Sequence, residues 1–490
     1  MKKLSASKLG LILGPLSFVV ILFFAQPDDL SPEGVAMMAA TSWVAIWWIS
    51  EAVPIAATSL LPLVLFPLLG IMGIKDTSVA YADPMVLLYM GGFMIAMTIE
   101  KWNLHKRIAL NIISVIGTDL KKIILGFMVA TAFLSMWISN TATALMMLPI
   151  GMAVVGQLGG NLRGTSITEL QIGQALMLGI AYSASIGGVA TIIGTPTNIV
   201  LVGVIKEIYN IEIGFAQWMS VGVPIAVGLL MICWLYLVKV AYPFPAIALP
   251  GGKEEITRQI QLLGSMSQEE KRVMVVFIAV SICWMSRTFL LNQFLPALDD
   301  TIIALTGALL LFLLPAGTEN KGRLLDWKTA ERLPWGILLL FGGGLTIAAG
   351  FQATGLAQWI GVQFVALENV PFWLFLLAIL TAVNFLTEIT SNTATASMIL
   401  PILAAVSLAM NVHPFGLMVS ATLAASCAFM LPVATPPNAI VFGSGYLSIP
   451  DMMKAGIWMN ILSIILIFFV SYFLLPLVWN FDISGFPETF

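Results

Sequence analysis

The sequence predicts an all-α polytopic membrane protein, and three observations predict it. Of the 490 residues, 59% are hydrophobic and only 10% are charged, whereas soluble domains carry roughly 25% charged residues. Apolar stretches near the roughly 20 residues that cross a hydrocarbon core recur along the whole chain. A polar tripeptide, Ser-Asn-Thr, occurs twice within these apolar surroundings. No polar block is large enough for a soluble domain, so residues 1–490 are expected to form one integral membrane unit.

Apolar runs bounded by charged or turn residues predict about eleven transmembrane helices. They lie at about 9–25, 35–50, 53–74, 86–100, 171–205, 215–238, 273–292, 300–315, 335–350, 415–446 and 456–478. The first run lacks a small-x-small cleavage site and is long for a signal core, so it is expected to be retained as a helix. Two further segments, 123–158 and 371–410, carry the tripeptide near the middle and are predicted to be re-entrant hairpins.

The placement of positive charge predicts the orientation of the chain. With a cytoplasmic N-terminus, 19 of the 22 Lys and Arg residues fall in cytoplasmic loops, as the positive-inside rule requires. The other three, Lys75, Lys206 and Arg287, fall on or near the outer side. We therefore expect a multi-pass protein of the inner or plasma membrane, surrounded by lipid, with its C-terminus outside. No basic cluster indicates a nucleic-acid partner.

The two tripeptides belong to a longer internal repeat. The stretches "SNTATALMMLPI" from Ser139 and "SNTATASMILPI" from Ser391 match at ten of twelve positions, 252 residues apart. The same offset pairs Ser135 with Thr387. Five predicted crossings lie between the copies, and this odd number inverts the second copy relative to the first. We expect inverted repeats at about 1–240 and 260–480, which is an architecture typical of secondary transporters.

The tripeptide has the chemistry of an ion site. Ser and Asn favour the N-cap of the arm that follows, where free N–H groups and the helix dipole attract anions. Their hydroxyl and carboxamide oxygens, together with carbonyls at the end of the preceding arm, suit a small hard cation. One hairpin tip can therefore serve an anion and a cation.

A second repeated element interrupts an apolar helix in each half. It reads "GTPTNIV" at Gly194–Val200 and "ATPPNAI" at Ala434–Ile440. Proline and asparagine after a small residue are typical of the broken helices at transporter sites. Each half is thus predicted to contribute one tip and one break.

The residue types that these four elements lack are also informative. None contains Lys, Arg or His, so a bound dianion would need cations beside it. Glu388 is the only acid close by, which favours Na+ on oxygen ligands over H+ as the coupling ion. Because Met136 occupies the matching position in the first half, Glu388 is expected to cap or hydrogen-bond within its own hairpin.

Together, the paired tips and breaks resemble those of the divalent anion:sodium symporter family, the INDY-type di- and tricarboxylate transporters. The resemblance covers nearly the whole chain. It implies eleven crossings with two re-entrant hairpins, a homodimer, a scaffold domain with the dimer interface, a transport domain with the site, and an elevator-type movement. One departure is Thr197, which stands in "TPTN" where the family more usually has "PPN".

The resemblance also implies the site residues by matching position. For the first sodium site they are Ser135, Ser139, Asn140 and the Gly194 carbonyl. For the second they are Thr387, Ser391, Asn392 and the Ala434 carbonyl. Substrate carboxylates are expected at Asn140, Thr141, Asn392 and Thr393, with Thr195, Thr435 and Pro436 nearby.

The predicted function is Na+-coupled uptake of a small C4 dicarboxylate such as succinate, and the hypothesis is that two or more sodium ions are the coupling ions. The alternatives are a dicarboxylate exchanger, or a citrate or sulfate transporter, of the same fold. An ion channel is a more distant alternative, since polar tips also build selectivity filters. An enzyme is not predicted, because no nucleophile–base pair, HExxH motif or pair of Asp residues lies at membrane depth.

Overall fold

Helices build the described part of the chain, in which the only β-type pairing is an isolated bridge between Pro315 and Arg323. A computed structural model describes residues 6–487, apart from 26, 28, 118, 160–167, 245–251, 318–321 and 365–369. Four of the positive charges used to orient the chain lie outside the described residues; they are Lys2, Lys3, Arg163 and Lys321.

The α-helices are numbered in chain order. The first half contains α1 (Ala6–Phe24), α2 (Pro32–Ser50), α3 (Ile55–Thr58), α4 (Leu61–Leu68), α5 (Ile74–Val79), α6 (Pro84–Lys101), α7 (Leu104–Ile116), α8 (Leu120–Ser135), α9 (Asn140–Gly159), α10 (Glu169–Gly188), α11 (Pro196–Tyr209) and α12 (Phe215–Tyr236).

The second half contains α13 (Gly252–Leu263), α14 (Gln268–Ser286), α15 (Asn292–Phe294), α16 (Asp300–Leu313), α17 (Trp327–Ala330), α18 (Trp335–Ala353), α19 (Leu356–Phe364), α20 (Phe372–Leu386), α21 (Asn392–Ala409), α22 (Pro414–Ala425), α23 (Pro436–Phe442), α24 (Ile449–Phe469) and α25 (Leu475–Trp479). Short π-helical turns follow α12, α14 and α24.

The predicted multi-pass character is confirmed. Within the described residues, eight helical segments are long and apolar enough to cross a membrane. They are Ser7–Phe24, Ile74–Lys101, Asn140–Leu158, Phe215–Ala241, Gln268–Phe294, Trp335–Ala353, Asn392–Ala409 and Ile449–Trp479. Shorter apolar helices lie at Ile55–Leu68, Asp300–Leu313, Phe372–Leu386 and Pro414–Ala425.

The predicted crossing at 53–74 is wrong as a continuous helix. Prolines divide it into α3 and α4, because Pro54 precedes α3 and Pro62 lies in the first turn of α4, positions at which proline starts rather than continues a helix. Gly70, with a φ of +71°, then turns the chain after α4. A search for apolar runs also missed the polar-faced helices α7 and α13 and the short helix α19.

Both predicted helix breaks are present. Residues 189–195 separate α10 from α11, and residues 426–435 separate α22 from α23. The amide of Asn198 donates to the carbonyls of Gly188, Val189 and Thr191 at 2.7–3.3 Å. The repeat-related amide of Asn438 donates to Ala428 and Leu431 at 3.0–3.3 Å. The asparagine of each motif therefore satisfies carbonyls that the broken helix leaves without partners.

The two halves interlock around the hairpins and breaks. Helix α23, which follows the second break, packs against α9 of the first hairpin and against α10. Helix α11, which follows the first break, packs against α21 of the second hairpin and against α22. The helix that follows the break in each half therefore packs on the hairpin of the other half. This cross-packing joins both hairpins and both breaks into one packed body of helices.

Close backbone contact holds this body together and generates a stability prediction. A Cβ added at Gly187 of α10 would overlap the backbone of Ala132 in α8. Gly187→Ala is therefore expected to lower the free energy of unfolding by about 1–3 kcal/mol, because the two helix backbones must separate. Thermal unfolding of the purified protein in detergent measures this.

Gly156→Ala in α9 is the matched control, since among the described residues no atom beyond its chain neighbours and its own helix backbone lies within 4 Å of its added Cβ. It is expected to be neutral or to stabilise by up to about 1 kcal/mol, because alanine favours helix. Equal melting temperatures for the two variants would contradict the packing described here.

Candidate functional site

The first hairpin tip gathers oxygen atoms around Asn140. Ser135 ends α8, and its fully buried hydroxyl donates to the carbonyl of Ala184 in the last turns of α10, at 2.7 Å. One terminal carboxamide atom of Asn140 lies 2.5 Å from Ser135 Oγ, 3.1 Å from Ala184 O and 3.3 Å from Gly194 O. Either the amide nitrogen occupies that position and donates to these oxygens, or the amide oxygen occupies it and completes a set of four oxygens suited to a small cation.

The second tip repeats this arrangement. The hydroxyl oxygen of Thr387, which is fully buried, lies 2.6 Å from Asn392 Oδ1 and 2.9 Å from the carbonyl oxygen of Ala425, and its single proton is donated to one of them. Ala425 ends α22, the first part of the second broken helix. Each cluster therefore combines a hydroxyl from the first hairpin arm, a carboxamide from the second arm and a carbonyl near the helix break.

The structure brings together Ser135, Asn140 and Gly194 at the first tip, and Thr387 and Asn392 at the second. Sequence reasoning missed the carbonyls of Ala184 and Ala425. A backbone carbonyl has no signature in the residue type, so only the nearness of a helix break along the chain could have indicated them.

The two serines of the tripeptides behave differently. Ser139 Oγ accepts from the N–H of Ala142 at 3.2 Å, so the predicted cap of α9 is confirmed. Ser391 occupies the predicted N-cap position of α21, but its side chain makes no capping hydrogen bond. The tips also differ at the residue before each serine, which is Ile138 in the first tip and Thr390 in the second. The hydroxyl of Thr390 forms a 2.6 Å hydrogen bond with the hydroxyl of Thr395, which lies in the first turn of α21.

The residues that precede α11 and α23 have matching backbones. Thr195 has φ −140° and ψ 143°, and Thr435 has φ −142° and ψ 149°. Both are buried, and both are followed by proline. The departure at Thr197 therefore leaves the local shape unchanged. Instead, its buried hydroxyl lies 2.6 Å from Ser426 Oγ, which links the first break directly to the second.

Glu388 has partners outside its hairpin, so the expectation that it bonds within that hairpin is wrong. Its carboxylate accepts from the backbone N–H groups of Phe429, Met430 and Leu431 and from the amide of Asn460, at 2.7–3.1 Å. The physical reason is that Phe429, Met430 and Leu431 lie in the non-helical segment between α22 and α23, where their N–H groups have no helix carbonyl to bond and need another acceptor.

A cavity of about 580 Å3 runs along α9 and starts two residues from Asn140. Its polar lining consists of Glu100, His105, Lys106 and Gln259, from α6, α7 and α13. The apolar lining consists of Leu110, Ala142, Leu145, Met146, Pro149, Ile150, Leu262 and Leu263. The cavity provides a partly polar space beside the first hairpin.

An all-helical membrane chain with two symmetric oxygen clusters at interlocked helix interruptions belongs to the class of secondary transporters. The family model described as the sodium:sulfate symporter transmembrane region matches residues 6–479. The chain therefore belongs to this family, and the resemblance to the divalent anion:sodium symporters is confirmed.

Curated relatives match nearly the whole chain. The sodium-dependent dicarboxylate transporter SdcS of Staphylococcus saprophyticus is 48% identical over 482 residues, covering 97% of this chain and 92% of the relative. SdcS of Staphylococcus aureus is 48% identical over 491 residues, covering 99% and 94%.

Two solved structures share the fold. MtrF of Neisseria gonorrhoeae aligns with a TM-score of 0.58 at 13% identity, over 99% of this chain and 98% of that chain. The YdaH transporter of Alcanivorax borkumensis aligns with a TM-score of 0.59 at 12% identity, over 81% and 87%. At these identities the likeness concerns the fold alone.

The contact between the two breaks generates a prediction about stability. Thr197→Val is expected to lower the free energy of unfolding by about 1 kcal/mol, because it removes the hydroxyl that bonds Ser426. A double-mutant cycle with Ser426→Ala, followed by thermal unfolding, measures the coupling, which we expect to be about 0.5–1.5 kcal/mol. Strictly additive losses would contradict a direct bond between the two breaks.

Proposed function

We propose that the protein is a sodium symporter that couples Na+ entry to uptake of a C4 dicarboxylate such as succinate. The observation that carries the proposal is the pair of oxygen clusters at the hairpin tips, where Asn140 and Asn392 face hydroxyl and carbonyl oxygens. Hard neutral oxygens suit Na+. The relatives named as sodium-dependent dicarboxylate transporters support the same ion and substrate.

The first Na+ is held by Ser135, Asn140 and the carbonyls of Ala184 and Gly194, with Ser139 at the edge. The second is held by Thr387, Asn392 and the carbonyl of Ala425. The Ser391 hydroxyl and the Ala434 carbonyl complete this second set. The near-identical geometry of the two hydroxyl–carboxamide pairs supports two sites of the same chemistry.

The substrate carboxylates lie between the tips. Asn140, Thr141, Asn392 and Thr393 contact them, with Thr195, Thr435 and Pro436 nearby. The N-termini of α9, α21 and α11 add partial positive charge at the site. The two Na+ ions supply the countercharge that no Lys, Arg or His in the four elements provides, so anion and cation bind together.

Transport follows an elevator-type movement in a homodimer. Helices α8–α12 and α20–α24 pack on one another and form the transport domain, whereas α1 packs on α2, and α16 on α6 and α14, in the scaffold. The N-terminus is cytoplasmic and the C-terminus is outside, as the distribution of Lys and Arg favours. The scaffold carries the dimer interface.

A sodium gradient is expected to drive uptake. In proteoliposomes, an inward Na+ gradient should accumulate labelled succinate above its external concentration, and replacing Na+ by choline should abolish this. Competition by unlabelled citrate and sulfate is expected to be weak. Accumulation that ignores the sodium gradient would refute the coupling, and uptake only into vesicles preloaded with dicarboxylate would identify an exchanger.

Asn140→Ala and Asn392→Ala are each expected to abolish sodium-driven uptake, because each removes a ligand shared by cation and substrate. Expression and membrane insertion should stay close to wild type. The matched control is Asn111→Ala, since Asn111 is exposed on α7, and it should transport normally. Wild-type uptake by both tip variants would exclude the proposed sites.

A further inference from the structure

Glu388 is a buried carboxylate without a cationic partner. It directly follows Thr387 and is 3% exposed. In the part of the chain that the structure describes, the ion pairs within 4.0 Å join other residues. Hydrogen bonds from Phe429, Met430, Leu431 and Asn460 surround the carboxylate instead.

The hydrogen-bond partners of the Glu388 carboxylate are all donors. Three backbone N–H groups and one amide point at the two oxygens, and a carboxylate can accept from all of them because it has no proton of its own to donate. The hydrogen bonds stabilise the negative charge but do not cancel it. Burying a net charge costs several kcal/mol unless an opposite charge is near. The arrangement therefore indicates that a cation binds close by.

The second hairpin cluster is the place where such a cation fits. The hydroxyl of Thr387, the residue before Glu388 in the chain, contacts Asn392 Oδ1 and the carbonyl of Ala425. Leu431, which donates to Glu388, also accepts at its carbonyl from the N–H of Ala434 at 3.2 Å. Glu388 therefore contacts the second break, which carries Ala434, and follows directly on the hairpin arm that carries Thr387.

The first half contains no equivalent charge. Met136 occupies the position of Glu388, and its backbone carbonyl accepts from the Thr191 hydroxyl at 2.5 Å. The N–H groups of Val189 and Ala190, which correspond to those of Phe429 and Met430, bond helix carbonyls at 3.0–3.3 Å. The two clusters offer similar oxygens but differ by one negative charge.

We propose that Glu388 is a positioning residue whose fixed charge makes the second cluster the tighter sodium site, so that it fills before the first. The inference deepens the proposed function and rests on the two sodium sites named there. At an effective dielectric constant of about 20, the attraction of one fixed negative charge near the cluster is expected to change Na+ affinity by about tenfold or more.

Sodium titration of thermal stability tests the charge. Purified protein without substrate is melted at increasing Na+, with choline keeping the ionic strength constant. Glu388→Gln is expected to raise the half-maximal Na+ concentration for stabilisation about tenfold. Glu388→Asp keeps the charge and should stay within about threefold of wild type. A residue that acts only as a cap would lower stability in both variants without moving the Na+ midpoint of Glu388→Gln, and that result would overturn the proposal.

A second measurement does not depend on the folding of Glu388 variants. Asn140→Ala leaves the second site intact, and Asn392→Ala leaves the first. The Na+ midpoint is expected to be lower in Asn140→Ala than in Asn392→Ala, and equal or reversed midpoints would overturn the proposal. Wild-type protein that Na+ fails to stabilise would refute the sodium sites themselves, whereas a wild-type Na+ response with equal single-site midpoints would refute only the role of Glu388.

Discussion

The structure depends on one constraint: backbone polar groups released inside an apolar body need partners. Each unpaired group costs several kcal/mol in a hydrocarbon environment. Two hairpins and two broken helices, which pack against one another, release many such groups. Asn198 and Asn438 bind the carbonyls that the breaks expose, and Glu388 binds the N–H groups of the second break. The polar groups at the hairpin tips are those left available to bind ions and substrate.

The same constraint explains why cation and anion belong together. Oxygen clusters built from hydroxyl, carboxamide and carbonyl groups attract Na+ without carrying a full charge, and helix N-termini attract carboxylates with only partial charge. Neither the oxygen clusters nor the helix N-termini carry enough charge to neutralise a bound dianion by themselves. When each ion lowers the free energy of binding the other, the effect is reciprocal by thermodynamic necessity. The proposed sites thus give a physical reason for coupling, since neither the tips nor the breaks contain Lys, Arg or His.

The internal symmetry of the site is close but incomplete. Ser135 and Thr387 make matching bonds to Asn140 and Asn392, and Thr195 and Thr435 share one backbone conformation. The halves differ where Glu388 replaces Met136 and where the N-cap residue Ser391 makes no side-chain capping bond. Thr197 and Ser426 join the two breaks through a pair that the repeat does not duplicate. Duplicated geometry thus supports similar sites, and single replacements make them unequal.

The sequence by itself determined the membrane class, the two tips and the two breaks. Each is encoded locally, as polar or helix-breaking residues within an apolar run, so neighbouring residues suffice to reveal it. Only the tertiary structure decided that Ala184 and Ala425 supply carbonyls, that Glu388 bonds the second break, and that α11 and α23 cross to the opposite hairpins. Carbonyls are common to every residue, and a hydrogen bond across 229 positions, such as that of Thr197 with Ser426, depends on packing that no local pattern records.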